Sequence, residues 1–426
     1  MQLMGGSALL LGSGASLTGC ESKKDGVIRP YLRFISLLPD QDALATTLSV
    51  ASSFPALGFQ KNTGFQQIDW AGSYSVNVTN AAKASVASFL LQSVAQKSRN
   101  TVYLLPTNAG NSGLLVADET FSINGGKSVI RTFTASSVLG LFDVYLTGPN
   151  DDIATRTPTV VGTPNSALSR PAPEIASGSY RVRLTTTNTK NVMFDGTVAF
   201  DSQAAYTMVM YSVGSAQLPT LMLVRPDSEV VQVIPSNAAR VRVVQGAVPA
   251  AAGIASAIGL DGKATGIALP FGNVSEYQMV APGAHSLTLS VNGGEYAKWS
   301  GNFQAGRDYT VYFSGTQGAA SSFVVEDNGL PVTTGRAKVR FINASSDQSA
   351  DVLVNFLPKV AALAPGKDAV LDVDLPSTPV SFVAAGSLRE LASFGNTGVA
   401  VVANGAYSVA LLGGGGRYMA VAFKTN

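Results

Sequence analysis

His285 is the only histidine in the chain and Cys20 the only cysteine. A nucleophilic Ser or Thr with an imidazole base could be built around His285 alone. These counts also rule out a multi-histidine metal site, a cysteine zinc cluster and an intramolecular disulfide. Asp151-Asp152 and the pair Asp372 with Asp374 could serve the acid–base hydrolysis of a glycoside. The first pair, however, lies in a proline-containing insertion expected to be exposed. The second stands two residues apart in LDVDL, on one face of a strand, where like charges are expected to meet water. No Asp-x-Asp-x-Asp-Gly calcium loop occurs. Gly413-Gly414-Gly415-Gly416 lacks the Lys-Ser/Thr of a phosphate loop and is expected to be a hairpin between two late strands. Trp70 and Trp299 could stack on sugars, although a tryptophan in a sandwich is more often a core anchor. The residues therefore predict no catalytic site, no cofactor and no metal, and the chain is not expected to be an enzyme.

The elements that carry these residues recur. Four short strands hold an arginine between apolar residues: Leu32-Arg33-Phe34, Ile130-Arg131-Thr132-Phe133, Val241-Arg242-Val243 and Val339-Arg340-Phe341. The arginines lie 98, 111 and 98 residues apart, a period that fits small independent domains rather than a solenoid. In a strand each arginine points away from its apolar neighbours, so a solvated outer face is expected, with a binding ladder as the other reading.

A glycine then enters an alternating strand at Gly72-Ser73-Tyr74, Gly178-Ser179-Tyr180 and Gly283-Ala284-His285. His285 thus stands where sister repeats have tyrosine, which predicts a sheet residue rather than a base. The fourth segment lacks the glycine, and its equivalent is Pro379-Val380-Ser381-Phe382. Near the end of each segment Asn100-Thr101-Val102, Tyr206-Thr207-Met208, Tyr309-Thr310-Val311 and Tyr407-Ser408-Val409 align. A tyrosine at such a strand entrance resembles the tyrosine corner of Ig-like sandwiches. Hairpin turns are expected at Asp195-Gly196, Asn292-Gly293 and Asn404-Gly405. Residues 82–96 have helix propensity, but their place in the repeat predicts strand. Residues 112–127, 218–237 and 325–334 are expected linkers, with SEVVQVIP as a further strand within the second. Residues 147–173 form an expected exposed insertion.

Composition agrees with this layout. Apolar residues make up 46% of 426 and charged residues only 13%, about half the usual share near 25%. Short strands and turns suit that mixture. A net charge of +2 from 29 basic and 27 acidic residues, without a basic run, leaves no footprint for nucleic acid.

The N-terminus is apolar, too short and glycine-rich to span a bilayer, and of signal-peptide size. Leu17-Thr18-Gly19-Cys20 resembles the lipobox of bacterial lipoproteins. The resemblance implies lipidation of Cys20, attachment to a membrane through it, and a location in the cell envelope. Glu21 rather than Asp after the cysteine points to the outer membrane, on its periplasmic or surface face.

Val339-Arg340-Phe341-Ile342-Asn343-Ala344-Ser345-Ser346-Asp347 followed by Asp351-Val352-Leu353-Val354 resembles the opening of the bacterial domain of unknown function 4397. Leu269-Pro270-Phe271-Gly272, Tyr277, Ala281-Pro282-Gly283 and Tyr309-Thr310 resemble its middle and end. That family implies an Ig-like β-sandwich in secreted and surface lipoproteins, often in tandem, with no agreed activity or ligand. The expected architecture is all-β: a signal peptide at 1–19, a tether at 20–27, and Ig-like antiparallel sandwiches at 28–111, 128–225, 238–325 and 336–426. The expected role is structural or adhesive, with an envelope protein or glycan as partner. A glycan- or extracellular ligand-binding module is the alternative.

Overall fold

The computed structural model describes residues 29–425 except 40, 50–51, 108–109, 119–120, 137–138, 166, 170–173, 214–217, 250–253, 328–335, 375–376 and 404. Cys20 and the turn residue Asn404 lie outside the described residues.

The third repeat shows how the sequence pattern becomes a sandwich. Its eight strands are Ala239–Val248, Ser256–Leu260, Lys263–Leu269, Gln278–Val280, Gly283–Val291, Gly294–Phe303, Asp308–Thr316 and Ala319–Glu326. One sheet orders the fourth, first, seventh and eighth strands; the other orders the third, second, fifth and sixth. The first and seventh strands run parallel, with Arg242 opposite Thr310. The remaining pairs of strands are antiparallel. A parallel pair needs a long crossover, and here the whole second sheet provides it. Alternation does the sorting: Leu287 and Leu289 of the fifth strand and Trp299 and Phe303 of the sixth meet Val241, Val243, Tyr309 and Val311 in one core.

The first and fourth repeats share this strand order. The second lacks the third strand, and residues of the 147–173 insertion take its place, Val160 bridging to Val144. It also gains an outer strand, Val231–Ile234, next to Pro219–Val224.

The landmark glycines Gly72, Gly178 and Gly283 have φ of 147°, 140° and 125°, where a Cβ is strongly disfavoured. Two residues on, Tyr180 donates from its hydroxyl to Ala176 O at 2.9 Å and His285 donates from Nε2 to Ala281 O at 2.7 Å. Tyr74 does the same to Trp70 O. The tyrosine corners also form. The hydroxyls of Tyr206, Tyr309 and Tyr407 accept the backbone N–H of Asp201, Gln304 and Val402, five residues upstream.

Ser85–Val94 is a strand, as its place in the repeat requires. Asn292-Gly293 turns the hairpin between Val291 and Gly294, both residues at positive φ. Asp195-Gly196 does not turn: it lies inside the strand Val192–Phe200. There Asp195 pairs with Arg181 across the sheet at 2.8 Å, and the Phe194 ring covers the glycine. All three expected linkers overlap strands, the third only at 325–326, where Ala319–Glu326 ends; the first two carry more. Gly110–Ala117 carries the first repeat past residue 111, and Pro219–Val224 occupies the start of 218–237. Both are eighth strands, whose apolar residues need a sheet neighbour.

The repeats associate in pairs. Ile35, Tyr103, Leu105 and Val116 of the first repeat form one buried cluster with Phe133, Val209, Tyr211 and Met222 of the second. Val244, Tyr312 and Val325 of the third do so with Ile342, Ala410 and Leu412 of the fourth. In both pairs the sheets containing the first, seventh and eighth strands meet through their outer faces.

Candidate functional site

The four repeated arginines lie on these shared faces. They do point outward from each sandwich core, but the expectation of a solvated face is overturned, because a second sandwich covers them. Arg33, Arg131 and Arg242 are buried, Arg33 with no exposed surface at all, and the side chain of Arg340 is 17% exposed.

Each arginine reaches a backbone carbonyl of the partner sandwich. Arg33 donates to Arg225 O at 2.8 Å and Ser228 O at 2.5 Å, and Arg131 returns a bond to Ala117 O at 3.1 Å. In the second pair Arg242 donates to Lys424 O at 3.1 Å and Arg340 to Glu326 O at 2.6 Å. Apart from Ser228 O, which lies in the turn that follows, the accepting carbonyls sit at or one residue past the end of an eighth strand. The relation is reciprocal, as two-fold packing of similar units requires.

A polar triad anchors one arginine of each pair. Arg33 Nε donates to Thr101 Oγ1 at 2.8 Å, and Thr101 donates to Asp118 Oδ2 at 2.7 Å. Arg242, Thr310 and Asp327 repeat this at 2.9 and 2.6 Å. Arg33, Thr101, Asp118 and Arg131 recur as Arg242, Thr310, Asp327 and Arg340, each displaced by 209 residues. The larger repeating unit is therefore a pair of sandwiches. Burial pushes the Asp118 and Asp327 carboxyls above the usual range, while the neighbouring guanidinium and threonine hydroxyl pull them down. Such groups depend on their partners, because an isolated buried charge is costly.

At one end of each pair the two copies differ. In the first pair the sheets part to leave an open groove of about 860 Å³, lined by Tyr31, Lys97, Arg99, Phe121, Gln203 and Asp227 among others. Asp327, Ala406 and Thr425 mark the corresponding place in the second pair, where Asp118, Ala205 and Pro226 stand in the first. That cavity is about 80 Å³. Tyr31 faces Arg99 across the parallel strands, and the residues at the same register in the third repeat are Arg240 and Asp308. Arg240 and Asp308 form a bidentate buried ion pair at 2.8 and 2.5 Å. Tyr277 lies 4.4 Å from both Arg240 and Arg242.

The structure brings none of the chemical candidates together with another. His285 stacks on Phe303 at 5.6 Å, and its Nδ1 meets Asp261 Oδ2 at 2.7 Å. Asp151 accepts from Gly148 N and Arg156, both at 3.2 Å, and Asp152 from Ala154 N at 3.1 Å. Asp374 pairs with Arg336 at 3.0 Å, and the Asp372 carbonyl accepts from the same arginine at 2.9 Å. Gly415 and Gly416 turn the hairpin that joins the last two strands. Trp299 is a core anchor, 4.8 Å from Phe303; Trp70 is half exposed and stacked beside Tyr74. Among the described residues no three His, Cys, Asp or Glu side chains gather as a metal site. No helix among them is long and apolar enough to cross a membrane.

The model described as "Domain of unknown function (DUF4397)" matches residues 239–353. That stretch, about a quarter of the chain, is similar to this family. The DUF4397 match starts with the first strand of the third sandwich and ends within the second strand of the fourth, so it crosses one whole sandwich and one paired interface. No curated protein matches the chain. Two solved structures are similar at low identity. The Bacillus anthracis TIE protein is 11% identical, with 93% of this chain and 65% of that one covered and a TM-score of 0.15. The chain thus spans just under two thirds of that protein's length. The Bacteroides ovatus mixed-linkage glucan utilization locus SGBP-B, in complex with a mixed-linkage heptasaccharide, is 9% identical. Coverage is 82% of this chain and 87% of that one, with a TM-score of 0.10.

Proposed function

We propose that this chain is a non-catalytic, lipid-anchored protein of the cell envelope, with a structural or adhesive role. In this reading residues 1–19 are removed, Cys20 is acylated, and residues 20–27 tether two double-sandwich units to the outer membrane. A multiply acylated cysteine holds a protein at a bilayer without a spanning helix. One observation carries the structural part: the reciprocal arginine bonds and the apolar clusters beneath them join the sandwiches two by two. Fused pairs make stiffer spacers than beads on linkers, since a large apolar interface suppresses the domain motion that small polar ones allow. The engagement of His285, Asp151, Asp152 and Asp374 in local hydrogen bonds supports the non-catalytic reading.

Two measurements test it. Cys20→Ala should move the protein from the membrane to the soluble fraction, and unchanged membrane association would remove the anchor from the reading. Small-angle scattering should give each pair the dimensions of one compact body; an ensemble of separated sandwiches would contradict the spacer role.

A further inference from the structure

We propose that the groove between the first and second sandwiches binds a carboxylate-bearing oligosaccharide, with Arg99 as the anion anchor and Tyr31 as the ring that meets the sugar face. The internal comparison between the two pairs points to it. In the second pair the same register is self-neutralised, Arg240 bonding Asp308 in two places, and the cavity of about 80 Å³ near it, lined by Asp327, Arg340 and Thr425, includes neither residue. In the first pair Tyr31 and Arg99 replace that ion pair, and the groove is about 860 Å³, within the usual size of a ligand site at a domain interface.

The charges in the groove are unequal. Asp227 is held by Arg225 in two bonds of 2.9 and 2.7 Å. Asp118 is held by Thr101 at 2.7 Å and lies 4.0 Å from Arg33. Arg225 also bonds Asp201 at 2.7 Å, and the charge of Arg99 reaches both carboxylates, more weakly than Arg33 reaches Asp118 or Arg225 reaches Asp227. Arg99 is exposed, its guanidinium placed against the rings of Phe65 at 5.0 Å and Tyr31 at 6.0 Å, and among the described residues it makes no ion pair. Lys97 stands beside it on the same rim. Lys97 and Arg99 are the lining cations with no carboxylate within bonding distance among the described residues, and a guanidinium flanked by rings is oriented for a planar carboxylate.

The remaining lining favours a sugar over an extended peptide. A peptide added as a further strand would need a free sheet edge, but the backbone here is occupied. Tyr31 N donates to Ser98 O at 2.8 Å and Asp118 N to Arg99 O at 2.9 Å. Recognition falls to side chains: the Gln203 amide and spare Asp227 lone pairs for hydroxyls, the Tyr31 and Phe121 rings for a C–H face. The proposal does not rest on the spacer reading.

Calorimetric titration of the full-length chain with trigalacturonate, and with maltotriose as the neutral control, tests it. Trigalacturonate should bind, maltotriose should bind about tenfold or more weakly, and Arg99→Ala should weaken trigalacturonate binding by about tenfold or more. The double variant Tyr31→Arg with Arg99→Asp, which copies the second pair, should abolish binding with the melting temperature preserved. Equal affinity of wild type and Arg99→Ala overturns the proposal. So does the absence of binding of trigalacturonate and a hyaluronan tetrasaccharide to the wild type, or preferential binding of an acidic peptide of the same charge.

Discussion

Arg33 of the first sandwich donates to the carbonyl oxygen of Arg225 in the second at 2.8 Å. Arg131 of the second answers through Ala117 O of the first at 3.1 Å. The same exchange joins the third and fourth sandwiches. One residue type at one strand position thus closes two interfaces, and most of the testable consequences follow from its burial.

Arg33→Ala removes three hydrogen bonds and leaves Asp118 buried without the guanidinium 4.0 Å away. Breaking a buried pair from one side costs about 3–5 kcal/mol. Urea unfolding should show the first pair's transition moving to lower denaturant. Arg33→Lys should rescue little, because an ammonium cannot serve Thr101, Ser228 and Arg225 from one planar fork. A midpoint unchanged in Arg33→Ala would mean that the clasp contributes nothing.

His285→Tyr should be close to neutral, since Tyr180 makes the equivalent bond to the carbonyl four residues back. His285→Phe loses that bond and the contact with Asp261 at a partly exposed site, about 1 kcal/mol for each net hydrogen bond. Melting temperatures of the two variants should rank tyrosine above phenylalanine.

Gly283→Ala meets no atom within 4 Å, so crowding predicts no loss. Its φ of 125° predicts a cost of about 1–3 kcal/mol from backbone strain. Thermal unfolding separates the two: stability equal to wild type would show that the strand entrance tolerates a Cβ.

Asp351 accepts the backbone N–H of Ala362 at 2.6 Å and of Gly386 at 2.9 Å, and these bonds hold its carboxyl below the usual range. The unfolded chain therefore takes up the proton first. The stabilisation is complete above the unfolded value of about 3.9 and is lost as pH falls through the depressed folded value. Melting curves between about pH 5 and pH 2 should fall less steeply for Asp351→Asn than for wild type. Parallel curves would assign the acid sensitivity elsewhere.

Much of one sandwich is legible in the sequence because its causes are local. Alternation around Leu287 and Leu289, the strained glycine at 283 and the corner tyrosine at 309 each act within a few residues. The dipeptide Asp195-Gly196 suits a hairpin, but a cross-strand bond from Arg181 keeps it extended. The paired faces left a weaker trace. Thr310-Val311-Tyr312-Phe313 and Val243-Val244 lack the polar alternation of a solvated face, as strands buried on both sides do. An arginine between apolar residues masked that signal, because its partners are carbonyls of another domain, far along the chain.

By itself the sequence determined an all-β chain of four similar sandwiches and the position of each repeated residue, since strand period, turn chemistry and repeat spacing are written in neighbouring residues. Only the tertiary structure decided that the sandwiches close in pairs, that Arg33, Arg131, Arg242 and Arg340 face a partner sandwich, and that one pair keeps a groove where the other holds an ion pair. Those outcomes depend on which outer faces meet, and contacts between faces are set by distances in space that no local spacing encodes.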